Sequence, residues 1–343
     1  MKHKKNLPNI ICFCFTIYFS LTFFSCNNTV PSQSQLCMGT VCSINLYEDG
    51  TQTLYDKMFQ RLKDIENLFS TNLENSQISK INQAAGKNPV TVHPEVLLVL
   101  EKACQIAEIT SGAFEPSIGP LVTLWNIGSE TPILPSTEKI KERLPLIDYK
   151  KIQLDFENNT VFLPQTHMAL DLGGIVKGYA ADQLAKIATQ EGVKKALFDL
   201  GGNVYAFGKK EKNQPWRVGI KNPLNPRDEP ILIVPVENKS VVTSGGYERF
   251  FVQDDIYYHH ILDSKTGYPS EKDILSSTII FENSMVADAL STAIFVLGAK
   301  EGFDLLNKLS VDGIIITKNK EILATKNLIP IIELWAKDFV VIQ

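Results

Sequence analysis

Four groups of residues in this chain carry types and spacings that can do chemistry. The first lies in Ser284–Leu297, where Asp288, Ser291 and Thr292 share one stripe of a helical wheel at about 100° per residue. The same segment has no lysine, arginine or glutamate, and Val286, Ala289, Leu290, Ala293, Ile294 and Leu297 fill the other side. A helix apolar nearly all round is buried. A carboxylate inside it must be neutralised or paired. A divalent cation held by Asp288 and the Thr292 hydroxyl would do this, and oxygen ligands suit Mg²⁺ or Ca²⁺. A buried hydrogen bond to backbone, or an arginine, is the simpler alternative.

The second group is the run DLGGIVKGYAAD, Asp171–Asp182. It sets an acid, a Gly-Gly turn and Lys177 at the start of a helical pattern. Glycines let the backbone approach a ligand, and a helix start offers free N–H groups to an anion. This is equipment for holding a phosphate-bearing molecule. An ordinary strand–turn–helix junction with a solvated Lys177 has the same letters. The run lacks the GxGxxG and GxxxxGK[ST] spacings, so a dinucleotide fold of the usual kind is not supported.

The third group joins SGGYERFF, Ser244–Phe251, to HHILDSKTGYP, His259–Pro269. Adjacent histidines on a strand point to opposite faces. One of them can serve a site as a proton acceptor near neutral pH while the other plays a structural part. In the fourth group, Ala113-Phe114-Glu115-Pro116 opens a segment, Gly112–Gly128, that reads as a loop. Phe114 and Trp125 there either stack on a flat ring or pack in the core.

The elements that must position these groups follow from periodicity. Apolar residues at helical spacing mark Leu54–Phe69, Pro94–Ile109 and Ile175–Glu191, with a short piece at Ile78–Asn82. Pro94 stands at a permitted first-turn position. Ser284 reads as the cap of the Asp288 helix, which stops at Gly298. Strand-like alternation marks Gly39–Tyr47, two strands around Gly201-Gly202, and several segments from Arg217 to Phe281. Asp171-Leu172-Gly173-Gly174 returns as Asp199-Leu200-Gly201-Gly202, which predicts two glycine turns leaving two strands at similar sheet edges.

Composition sets the outer limits. The 343 residues are 44% hydrophobic, normal for a globular core. Lys2, Lys4 and Lys5 precede an apolar stretch, Ile10–Phe24, too short to span a bilayer comfortably. Ser25-Cys26 and a polar continuation follow, so residues 1–26 resemble a bacterial lipoprotein signal ending at a lipidated Cys26. Residues 27–37 then read as a polar tether and 38–343 as the folded domain. Removing residues 1–25, with three lysines and no acid, takes the net charge from −4 to −7. That excludes a general nucleic-acid binder. Beyond Cys26 only Cys37, Cys42 and Cys104 remain. An odd number without CxxC argues against a disulfide framework or a zinc site and for buried thiols.

Taken in order, the motifs resemble the ApbE family, the FAD:protein FMN transferases. They are Met38-Gly39-Thr40, STN with S-x-IS-x-IN at 70–82, GAFEPSIGPL, DLGGIVKGYAAD, DLGGNVYAFG, PWRVGI, TSGGYERFF, HHILDSKTGYP and ADALSTAIFVLG. The resemblance implies an α+β fold of mixed and antiparallel sheets with packed helices, T-fold-like, with the active site between two subdomains. It implies a flavin site at Met38, Ala113, Phe114, Glu115, Asp171, Lys177 and Leu262. It further implies a metal held by the Gly174 carbonyl, Asp288 and Thr292. Ser291 stands where some members have an aspartate, Glu115 where aspartate is usual, and Asn72 where an aromatic is common.

The reaction so implied moves FMN from FAD onto a threonine hydroxyl of a target protein and releases AMP, with Mg²⁺ or Ca²⁺ as cofactor. His260 is the candidate base and Asp171 the fallback. The expected partners are FAD, an acceptor subunit of a membrane redox complex, and the inner membrane through a lipid anchor on the periplasmic side. A metal-dependent FAD pyrophosphatase and a non-catalytic flavin-binding lipoprotein are the competing readings.

Overall fold

The computed structural model describes residues 30–48 and 50–342. Its first half holds β1 (Gln33–Cys37), β2 (Thr40–Leu46), α1 (Gln52–Phe69), α2 (Gln77–Gln83), β3 (Val90–Thr91), α3 (Pro94–Ile109), α4 (Gly119–Trp125), α5 (Thr137–Arg143), β4 (Gln153–Asp155), β5 (Thr160–Phe162) and α6 (Val176–Gln190). The second half holds β6 (Lys195–Leu200), β7 (Asn203–Gly208), β8 (Trp216–Ile220), β9 (Leu232–Val236), β10 (Lys239–Gly245), β11 (Phe250–Gln253), β12 (Ile256–His259), β13 (Ile274–Phe281), α7 (Ser284–Leu297), α8 (Ala299–Leu309), β14 (Asp312–Thr317), β15 (Glu321–Ala324), β16 (Glu333–Leu334) and β17 (Val340–Ile342).

A nine-stranded sheet, ordered β1-β2-β6-β7-β10-β13-β14-β15-β17, is the frame. Every pair in it is antiparallel except β15–β17. The mixed α+β architecture expected from the sequence is therefore present. Period-two alternation divides the sheet between two cores. Val242, Ile279 and Ile315 face the helices, while their neighbours Val241, Ile280, Ile314 and Ile316 face the small sheet β16-β9-β8. A third, smaller cluster forms around Leu121, Trp125, Ile140 and Leu262. The helix α7 lies across β10 and β13 with α6 beside it. Eleven of its fourteen residues are buried, in line with its lack of charged residues other than Asp288.

Four sequence expectations change. Gln33–Cys37 is not tether but the edge strand of the main sheet. Its polar residues alternate half-buried and exposed, and a two-residue turn at Met38-Gly39, both at positive φ, fixes its register against β2. The Gly112–Gly128 segment is not wholly a loop, because Gly119–Trp125 forms α4 with Asn126 in a left-handed C-cap. The cap of α7 is Asn283, whose side chain accepts from the Val286 N–H. Ser284 is the first helical residue. Asp199–Gly202 turns between β6 and β7 as expected, but Asp171–Gly174 follows only a one-residue bridge, Ala169 to Ile118, rather than a strand. Cys37 and Cys42 are buried free thiols, and Cys104 is a half-buried one. Cys26 lies outside the described residues. Among the described residues no helix is long and apolar enough to cross a membrane.

Candidate active site

The site depends on how closely α6 approaches the start of α7. A Cβ on Gly178 would meet the Ser284 carbonyl oxygen at 2.2 Å, so only glycine fits there. The Gly178 N–H donates to Asp288 Oδ2 at 2.9 Å. One turn on, Asp182 accepts from the N–H groups of Ser284 and Met285, at 2.8 and 2.9 Å. A carboxylate of α6 thus satisfies two orphan donors of α7 and complements its dipole. Burial, with a contribution from Asp288, pushes Asp182 up to about 6.

Asp288 itself is 3% exposed. Burial raises its carboxyl above the usual range, while Lys177 and the Gly178 N–H pull the other way. Lys177 Nζ lies 3.7 Å from Asp288 Oδ1 and donates to the Gly173 carbonyl at 2.9 Å. The DLGGIVKGYAAD run and the α7 stripe, more than a hundred residues apart, are therefore one cluster.

That cluster lines a cavity of about 570 Å³. Sites for small molecules and cofactors span roughly 300–1,000 Å³. The cavity wall includes Met38, Ala113, Phe114, Glu115, Asp171, Gly174, Lys177, His260, Leu262, Asp288 and Thr292. These are the eleven described residues to which the resemblance gave a flavin, metal or base role, and all are on it. It opens where the main core meets the Trp125 cluster, since Phe69, Phe114 and Ile261 line it from the first and Ile118 and Leu262 from the second.

At the Asp288 end, a Cβ on Gly174 would stand 3.0 Å from Thr292 Oγ1 and 3.3 Å from Phe114 Cε2. Gly174 therefore lets its backbone lie directly against Thr292. Ser291 Oγ is committed elsewhere, donating to the Asp288 carbonyl at 2.8 Å and pairing with Ser244 Oγ at 2.8 Å. Among the described residues no three His, Cys, Asp or Glu side chains gather as a metal cluster. A cation here would rest on one buried carboxylate with hydroxyl and carbonyl oxygens, a set that fits a hard ion. Lys177 partly balances Asp288 in the protein alone.

The two histidines divide as alternation requires. His259 is buried, with Nε2 3.0 Å from the Ser270 carbonyl and its ring edge-on to Phe295. His260 faces the cavity, its Nδ1 3.2 Å from the Arg249 carbonyl. A carbonyl only accepts, so Nδ1 carries the proton and Nε2 keeps a free lone pair. Burial first, then the positive charge of Arg249, lowers His260 to about 4, so the ring is neutral near pH 7. Asp171 is raised by burial, against the Gly173 N–H, Lys177 and Arg249.

The 113–125 segment splits. Phe114 reaches the cavity, but Trp125 is fully buried, donates to the Gly267 carbonyl at 2.8 Å and packs on Tyr258 and Tyr268. Of the two aromatics, Trp125 belongs to the core. Glu115 lines the cavity with its carboxylate occupied. Oε1 accepts from the N–H and hydroxyl of Ser117, and Oε2 from the Tyr149 N–H. It acts on the site by holding the loop. Asn72 sits on the cavity wall, its N–H donating to Ser70 Oγ.

Four positioning residues had no role in the sequence reading. Asp182 and Gly178 fix α6 against α7. Asn82 pairs with both backbone groups of Leu170, at 2.7 and 3.0 Å, and so places Asp171. Arg249 orients His260 through its carbonyl. Their signal lay inside the motifs, as Asn82 ends S-x-IS-x-IN and Arg249 sits in SGGYERFF. Nothing in the letters alone says which atom is used.

Comparison with known proteins agrees with this geometry. The ApbE family model matches residues 38–315. The chain is 38% identical over 298 residues to a FAD:protein FMN transferase of Klebsiella pneumoniae (strain 342), covering 87% of this chain and 92% of that one. It is 36% identical over 316 residues to a protein of the same name from Treponema pallidum (strain Nichols), covering 87% of each. Among solved structures, the ApbE protein of Thermotoga maritima superposes with a TM-score of 0.80 at 33% identity, covering 86% of this chain and 97% of that one. The flavin transferase ApbE of Vibrio cholerae gives 0.78 at 25% identity, covering 88% and 98%. The match spans the whole described cavity, and the chain belongs to the ApbE family.

Proposed function

We propose that this chain is a FAD:protein FMN transferase that uses the cavity for both FAD and the attacking hydroxyl. The observation that carries the reading is the meeting of a buried carboxylate, Asp288, with Gly174, Thr292 and Lys177 in the cavity that also receives the free Nε2 of His260. The curated relatives bear the same activity in their names.

FAD enters with its diphosphate toward Lys177 and the Asp288 end, and Phe114 offers an aromatic edge beside Gly174. A threonine hydroxyl of the acceptor protein attacks the FMN-side phosphorus. Its proton passes to His260 Nε2, the P–O bond to AMP breaks, and AMP carries away the electron pair. His260 is held for this by the Arg249 carbonyl, and two negative charges from FAD beside it raise its proton affinity. Asp288, Thr292 and the Gly174 carbonyl would hold Mg²⁺. A bound Mg²⁺ would neutralise charge on the phosphate oxygens and the departing AMP. Most of the acceleration then comes from position and electrostatics.

A lipid anchor at Cys26 would place the enzyme on the periplasmic face of the inner membrane, beside membrane redox subunits that carry acceptor threonines. Incubation with FAD, Mg²⁺ and a threonine-bearing acceptor tests the reading. The expected product is an acceptor heavier by one FMN, together with AMP. Free FMN alone would replace the transferase with a pyrophosphatase. Asp288→Asn should cut transfer more than 100-fold, the scale on which a lost charge-stabilising group acts, and full activity in that variant would displace the metal from this end of the cavity.

A further inference from the structure

Arg249 is the unabsorbed charge of the site. It lines the cavity, yet among the described residues its guanidinium has no carboxylate within salt-bridge distance. Among the described residues the one hydrogen bond from its head group runs from Nη2 to the Gly39 carbonyl, at 3.2 Å, in the turn that also carries Met38. The stem passes over Gly128, where a Cβ would come within 3.0 Å of Arg249 Cδ, and Gly128 is at positive φ. A guanidinium has five N–H donors, and Arg249 is an exposed residue of the cavity wall, so most of them are open to solvent and to a ligand entering there.

The placement is electrostatically asymmetric. Lys177 is the other cation on the wall, and it is already engaged by Gly173 and Asp288. Both cations lie within electrostatic reach of Asp171 and His260. The attacking oxygen, the phosphorus and His260 Nε2 must share that space. A transferring phosphoryl group spreads charge over its equatorial oxygens, and an arginine fork matches two such oxygens at once.

We propose that Arg249 is a second cationic contact for the FAD diphosphate, separate from Lys177 and from the Asp288 end. This rests on the flavin-transfer reading of the cavity. The main chain of Arg249 orients the base while its side chain holds the anion that the base works beside. Binding and proton acceptance are therefore built on one residue.

The test is FAD binding by equilibrium dialysis in metal-free buffer at two ionic strengths, for the full chain and for Arg249→Gln and Arg249→Lys. The carbonyl that holds His260 survives both substitutions. We expect Arg249→Gln to weaken FAD binding at least tenfold and to flatten its salt dependence, and Arg249→Lys to recover most of both. FAD affinity within twofold of the parent chain in Arg249→Gln overturns the assignment. So does a loss that keeps the parent salt dependence, which would mark a purely structural arm to Gly39. Dialysis reads binding alone, so a chain that hydrolyses FAD rather than transferring FMN gives the same answer. A parent chain that binds no FAD even with Mg²⁺ restored overturns the flavin reading and this one with it.

Discussion

The N–H of Gly178 donates to Asp288 Oδ2 at 2.9 Å, where α6 packs against the start of α7. The absence of a side chain at Gly178 and the position of the Asp288 carboxylate are thus one structural fact. Asp182 strengthens it from the next turn by capping the same helix start.

Gly178→Ala follows directly. Its Cβ would come within 2.2 to 2.7 Å of Ser284 and Met285 backbone atoms, which cannot swing aside as a flexible side chain can. Overpacking of this kind costs about 1–3 kcal/mol. Thermal unfolding should fall by several degrees, and FAD-dependent activity should fall further because Asp288 moves with α7. A variant with parent stability would mean that the two helices can part without cost.

His260 carries a pH prediction with a definite sign. Its neutral form is the base, and burial and Arg249 hold it near 4 in the protein without substrate. Activity is therefore present above that value and lost as pH falls through it. The profile of kcat/KM reports the free enzyme, and kcat reports the FAD complex. We expect the acid limb of kcat/KM near pH 4 and that of kcat at higher pH, since the diphosphate favours the charged ring. A kcat/KM limb at the ordinary histidine value near 6.5 would remove His260 as the base or return it to solvent.

Helices were the most legible part of the fold. Pro94–Ile109 has the limits read from its letters, and α1, α6 and α7 differ by only one or two residues. Their 3.6-residue apolar period is long and uninterrupted. Residues 33–37 failed because edge strands need few apolar residues, and Gln33–Cys37 gains its place from a turn and a partner strand. Within the site, residue identity was legible because each motif combines unusual types. Atomic use was not. Glu115 has its carboxylate taken up by Ser117 and Tyr149, contacts made across a fold that local spacing cannot express. Arg249 was hidden for the opposite reason: its role comes from what its side chain leaves unpaired.

Trp125 separates core from cofactor contact. Its indole is fully buried, away from the cavity wall, and its N–H is used by Gly267. Trp125→Phe keeps an aromatic body but leaves the Gly267 carbonyl without its donor. Loss of a buried hydrogen bond costs about 1 kcal/mol, more where the orphaned group stays dry. Denaturant unfolding should register that loss, and FAD affinity should stay within about twofold of the parent chain, a difference worth less than ~0.5 kcal/mol. A tenfold loss of FAD affinity with unchanged stability would put the indole against the flavin and move Trp125 from the core to the site.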